Sequence, residues 1–121
     1  MSKKKRTYID FVKDIFDMIT KIESFTKDYT FNKFIEDEKT VFAVIRCFEV
    51  MGEAIKNIPE EMREKFSYLP WKRISGMRNK LIHEYFGVDY ETLWETIKVR
   101  IPEIKPFVQQ MLTEILKDEE K

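Results

Sequence analysis

The chain is predicted to be all-α, an antiparallel bundle of four to five helices, on three observations. Apolar residues recur at steps of three and four along most of the sequence, which is the period of a helix that buries one face. Glycine and proline are scarce, three and four among 121 residues, while Glu, Lys and Ile are plentiful, a composition that favours helix over sheet. The length suits one domain over residues 1–121 with one core, and ten phenylalanines can fill it.

A first helix follows from Tyr8, Phe11, Val12, Ile15, Met18, Ile19, Ile22 and Phe25, which fall on one stripe. Thr7 is placed to cap it, with Asp10 three residues on as a loose capping box. Residues 28–34 read as a connection or a short helical turn. A second helix is expected to start between Glu36 and Lys39 and to run through Val41, Val44, Ile45, Phe48, Met51, Gly52, Ile55 and Ile58, with Pro59 as its stop. Gly52 lies on that face at a propensity cost of about 1 kcal/mol, so close approach of another helix is its expected purpose. Residues 60–68 suggest a short helix with acids in its first turn, broken by Leu69-Pro70.

Residues 71–85 carry Ile74, Met77, Leu81 and Tyr85 at helical spacing, with Gly87 as the stop signal. Asp89 is the expected N-cap of a last long helix, whose apolar side is Leu93, Trp94, Ile97, Ile101, Ile104, Val108, Met111, Leu112 and Ile115. Pro102 and Pro106 are expected to kink or interrupt it. Residues 1–6 form a flexible basic start and residues 117–121 a solvated tail. No repeat, linker or second domain is evident.

Composition narrows the function classes. Twenty-two basic side chains balance twenty-two acidic ones, which argues against non-specific coating of nucleic acid but leaves room for a local basic patch. Cys47 is the lone cysteine, so there is no intrachain disulfide and no four-cysteine zinc site. It sits in an apolar run and reads as a small buried residue rather than a reactive thiol. No apolar run approaches the ~20 residues of a membrane span, and the basic start lacks the apolar stretch of a signal peptide. A cytoplasmic protein is the expectation.

The chemistry concentrates in Gly76-Met77-Arg78-Asn79-Lys80-Leu81-Ile82-His83-Glu84-Tyr85, which contains the only histidine. His83 can titrate near neutral pH, Arg78 is a permanent cation shaped for phosphate, and Tyr85 adds a phenol. On a continuous helix Arg78 and His83 would project about 140° apart and about 7.5 Å along the axis. Asn79 and His83 would stack one turn apart, so that Asn79 could orient the imidazole. Two copies meeting across a two-fold axis would bring both pairs into one cleft. Lys72, Arg73, Arg78 and Lys80 make the segment locally basic in a neutral chain, as an RNA-binding surface requires, although such a run is more often a solvated face. Other chemistries fit poorly. One histidine and one cysteine leave metal sites to carboxylates alone, so no metal or other cofactor is expected. The isolated glycines cannot form a nucleotide cradle. Glu49 and Glu53 share a helical face, but as a salt-bridged or solvated pair rather than an acid–base dyad.

The motif, continued through Phe86-Gly87-Val88-Asp89, resembles the HEPN superfamily, and within it the HepT-like toxins of HepT/MntA-type toxin–antitoxin modules. Gly52-Glu53-Ala54-Ile55-Lys56-Asn57-Ile58-Pro59, Trp71-Lys72-Arg73-Ile74 and Asp89-Tyr90-Glu91-Thr92-Leu93-Trp94 are similar to the same pattern, so the resemblance covers nearly the whole chain. It implies a helical homodimer whose two motifs form a composite, metal-independent ribonuclease site. Arg78 and His83 match the family's catalytic pair and Asn79 its polar neighbour. The resemblance also implies a nucleotidyltransferase antitoxin of the MntA type as partner, which transfers AMP to the tyrosine matching Tyr85. Glu84, between the histidine and the tyrosine, is a mild departure from the pattern. The competing reading is a non-catalytic helical interaction module that only binds a minimal nucleotidyltransferase.

Overall fold

A computed structural model describes residues 6–83 and 87–119, and the architecture is all-α apart from one pair of two-residue strands. Helix α1 spans Tyr8–Phe25 and buries Val12, Ile15, Ile19 and Ile22, the three- and four-residue steps that the sequence displays. Its start is closed as expected: the Asp10 carboxylate accepts the Thr7 backbone N–H at 2.9 Å. Arg6 is anchored rather than loose, 2.6 Å from Asp14 and stacked over the Phe11 ring. At the far end the Thr26 hydroxyl donates to the Ile22 carbonyl at 2.8 Å, and the chain turns at Asp28, whose φ is 64°.

The segment between the first two long helices contains a helix of its own, α2 (Phe31–Glu36), capped by Thr30, whose side chain accepts from the Lys33 N–H. One residue later α3 (Glu38–Lys56) begins. Asp37 serves as both hinge and N-cap: its carboxylate accepts from the Thr40 N–H at 3.2 Å, the Thr40 hydroxyl at 2.7 Å and the Tyr29 hydroxyl at 2.6 Å. Three donors on one carboxylate hold its pKa below the usual value, the Tyr29 bond contributing most. Helix α3 is the central element. It packs against α1 on one side and, on the other, against α5 (Trp71–Leu81), and it buries Val41, Val44, Ile45, Cys47, Phe48, Met51, Ala54 and Ile55. Cys47 is the small buried residue expected, and burial raises its thiol pKa.

Between α3 and α5 lies a short helix, α4 (Glu60–Lys65), led by Pro59 and two acids. The link from α4 to α5 is locked by Trp71, whose indole N–H donates to the Arg63 carbonyl at 3.0 Å and the Phe66 carbonyl at 3.1 Å. Tyr68 ties the same link to the last helix through a hydroxyl bond to Glu114 at 3.3 Å.

Helix α5 ends at Leu81, earlier than its apolar spacing suggests. Strand β1 (Ile82–His83) pairs antiparallel with β2 (Gly87–Val88), with Ile82 opposite Val88 and His83 opposite Gly87. Gly87 has φ +81°, a left-handed conformation that a glycine adopts without strain. Its role is therefore to return the chain to a partner strand, not to stop a helix.

Asp89 caps α6 (Tyr90–Glu95) as expected, accepting from the Thr92 N–H at 3.1 Å and its hydroxyl at 2.8 Å. The helix then widens into a π turn over Thr96–Arg100 before α7 (Ile101–Glu119), and the Ile101 N–H reaches back five residues to the Thr96 carbonyl. The prolines act differently at their two positions. The slip in register falls immediately ahead of Pro102, where a normal turn would press the ring on the carbonyl of Lys98. Pro106 is accommodated inside α7. The residues expected to form a solvated tail remain helical through Glu119, with exposed side chains.

The core lies between α1, α3 and α7, with α2, α5 and α6 closing its sides. Ile19, Ile22, Phe34, Val44, Leu93, Ile101 and Met111 are fully buried within it. Burial of an Ile or Phe side chain contributes roughly 1.5–3 kcal/mol. Among the described residues, no helix is long and apolar enough to cross a membrane.

Candidate active site at the end of the fifth helix

The motif is divided between two elements. Arg78 and Asn79 lie in the last turns of α5, and His83 lies on β1 opposite Gly87. This corrects the expectation of one helix over residues 71–85. The 140° and 7.5 Å relation does not apply, and Asn79 and His83 are not stacked one helical turn apart. Helix α5 still aims the motif, because Ile74 and Met77 are buried and fix its rotation against α3. Tyr85 and Glu84 lie outside the described residues, as do Met1–Lys5 of the basic start.

Asn79 is exposed and lines a polar groove of about 340 Å³ between α5 and α3. The opposite wall is a charged stripe of α3: Arg46, Glu49, Glu53 and Lys56, with Gly52 among them. Glu53 pairs with Lys56 at 3.6 Å, so the acidic pair is structural on at least one side, as the sequence suggested. Gly52 corrects a second expectation. A Cβ built there meets nothing within 4 Å, so among the described residues none packs closely against it. Gly52 instead leaves the groove open beside Asn79. Arg46 is the residue that sequence reasoning missed. It is exposed, lines this groove, and has no ion-pair partner among the described residues. Its signal was its position one turn before Glu49 and off the apolar stripe.

Of the cations singled out as an RNA-binding surface, Lys72 and Arg73 are exposed at the start of α5. Arg73 lies 3.6 Å from Glu103 of α7. Lys80 is in the last turn of α5. Lys72 and Arg73 line a second cavity, of about 500 Å³, at the α4–α5 junction. A smaller one, of about 250 Å³, lies between α5 and α6 and contains Arg73 and Arg100. Arg100 is held there by Glu95 at 3.7 Å and Glu103 at 3.2 Å. Among the described residues, no cluster of His, Cys, Asp and Glu has the arrangement of a metal site.

Chemically, a helix end and a following strand carry an arginine, an amide and an imidazole within six residues, and the amide, Asn79, lines an open polar groove. Comparison with known proteins gives this arrangement its context. The family model described as Ribonuclease HepT-like matches residues 15–111. A protein of Methanocaldococcus jannaschii named "Putative RNase MJ0125" is 48% identical over 111 residues, covering 92% of this chain and 96% of that protein. "Probable ribonuclease HepT" of Thermococcus cleftensis is 48% identical over 101 residues, covering 84% and 92%. "Putative RNase TTE0752" of Caldanaerobacter subterraneus is 51% identical over 86 residues, covering 71% and 77%. No solved structure matches the chain. A family match over most of its length, with relatives near half identical over most of theirs, makes this chain a member of the HepT-like, HEPN-type ribonuclease family.

Proposed function

We propose that the chain is the toxin of a toxin–antitoxin module, a metal-independent endoribonuclease whose composite site forms across a homodimer. The observation that carries this reading is family membership over residues 15–111, which include Arg78-Asn79-x-x-x-His83-x-Tyr85 in full. In the proposed reaction His83 takes the proton of an RNA 2′-hydroxyl as general base. The 2′-oxygen forms a bond to the adjacent phosphorus as the bond from phosphorus to the 5′-oxygen breaks. Arg78 stabilises the charge that develops on the phosphoryl oxygens. The second protomer's copy of the same histidine, protonated, donates to the leaving 5′-oxygen. The products are a 2′,3′-cyclic phosphate and a 5′-hydroxyl, with no water consumed. DNA lacks the internal nucleophile and survives.

Without one-turn stacking on His83, Asn79 acts in this scheme as a polar contact to substrate from the groove wall, and Lys72, Arg73 and Lys80 hold phosphates of the strand. The proposed partner is an MntA-like nucleotidyltransferase antitoxin that transfers AMP to Tyr85. A bulky anion there competes with RNA for Arg78 and closes the site.

The test is cleavage of single-stranded RNA in chelator by protein shown by mass to be unmodified, beside His83→Ala. Loss of a general base costs roughly 10²–10⁴-fold in rate, so the variant is expected to be nearly inactive. Silence from both proteins would refute the nuclease reading and leave the interaction module. Equal cleavage by both would remove His83 from the chemistry.

A further inference from the structure

The cavity of about 500 Å³ at the α4–α5 junction is lined by Glu60, Arg63, Glu64, Trp71, Lys72 and Arg73, among others, and it is separate from the groove beside Asn79. We propose that it is a nucleotide subsite, which holds one unpaired base of the RNA strand next to the cleavage position. This rests on the nuclease reading above and deepens it.

Three features point to a nucleotide. The volume falls within the range of small-molecule pockets, roughly 300–1,000 Å³. The wall contains an aromatic ring held in place: two carbonyls, of Arg63 and Phe66, fix the Trp71 indole N–H at 3.0 and 3.1 Å. A ring that cannot reorient is a ready stacking platform, and stacking on aromatic side chains is how proteins hold unpaired bases. The charges are also divided in the way a nucleotide is. Lys72 is exposed and, like Arg63, has no ion-pair partner among the described residues; the Nε of Arg63 is buried with no hydrogen-bond partner among them. These cations suit a phosphate, while Glu60 and Glu64 of α4 can accept from the amino group of a base.

Position supports the assignment. Trp71 and Arg78 stand seven residues apart on one helix, about 10 Å along its axis, so a short stretch of strand can reach from one to the other. The groove between α5 and α6 is a weaker candidate, because Glu103 already pairs with both of its arginines, Arg73 and Arg100, and Glu95 with Arg100.

The experiment uses 2′-O-methyl RNA, which keeps base and phosphate but lacks the nucleophile. Binding of a labelled dinucleotide and a labelled hexanucleotide is measured by fluorescence anisotropy for the full chain, Lys72→Ala, Ser67→Leu and Lys13→Ala. Ser67 is an exposed residue of the cavity wall, so leucine there projects bulk into the cavity without disturbing the core. Thermal melting verifies that each variant is folded. One stacked base with its phosphate is worth on the order of tenfold in affinity, so the hexanucleotide is expected to bind about tenfold more tightly than the dinucleotide. Lys72→Ala and Ser67→Leu should lose most of that preference, and Lys13→Ala, on another face, should keep it. No length preference in the unaltered chain, or a full preference in both cavity variants, would overturn the subsite. Length-dependent binding by a chain that cleaves nothing would keep the subsite and sink the nuclease; cleavage without length dependence would do the reverse.

Discussion

Gly52→Ala tests whether the open side of α3 is as open as its geometry indicates. Gly52 lies inside α3, and its φ is not among the positive ones, so alanine adopts the same backbone without strain. A Cβ there meets nothing within 4 Å, so no packing energy is gained and no clash is incurred. What remains is the helix propensity difference, about 1 kcal/mol in favour of alanine. For 121 residues the unfolding entropy at the melting point is about 0.25 kcal/mol/K, so Tm should rise by about 4 °C. Far-ultraviolet circular dichroism during a reversible melt measures it, at several protein concentrations so that self-association is visible. Gly76→Ala on α5, where an added Cβ also meets nothing within 4 Å, is the companion and should gain a similar amount. A rise at Gly76 with a fall at Gly52 would refute the reasoning and place another molecule, such as a second protomer, against the charged stripe of α3.

Two further outcomes follow from the packing and the caps. Ile19 is fully buried, and truncating such a side chain costs ~2–5 kcal/mol; Ile19→Ala should lower the urea midpoint with the slope unchanged, and a smaller loss would mean that α1 relaxes into the space. The Asp37 pKa is depressed by the Tyr29 hydroxyl and then by Thr40, so the stability it contributes is present above its ordinary value of 3.8 and disappears as pH falls through the lower folded-state value. Tyr29→Phe should therefore melt below the unaltered chain at neutral pH, and the two curves should converge in acid; a gap that persists in acid would show that the carboxylate is not what Tyr29 stabilises.

The parts of the fold that were legible in the sequence are those that local chemistry decides. Asp89 caps its helix because an aspartate with a threonine three residues on can satisfy two donors at once, and the stripes of α1, α3 and α7 follow from which face must leave water. The end of α5 was not legible. Ile74, Met77, Leu81 and Tyr85 keep helical spacing, and no residue between Leu81 and Gly87 is a helix breaker. The helix yields there to a pairing of two residues with two, too short for any period to reveal. The same limit hid the π turn, since Pro102 announces a disturbance but not that the register slips ahead of it. The candidate site inherits this. Its residue types were legible, because an arginine, an amide and an imidazole are chemically conspicuous, but their relation was not, because a five-residue spacing has one meaning within a helix and another across its end. Arg78 is on α5 and the His83 backbone pairs with Gly87, which has φ +81°, so the two residues belong to different elements and helical spacing does not relate them.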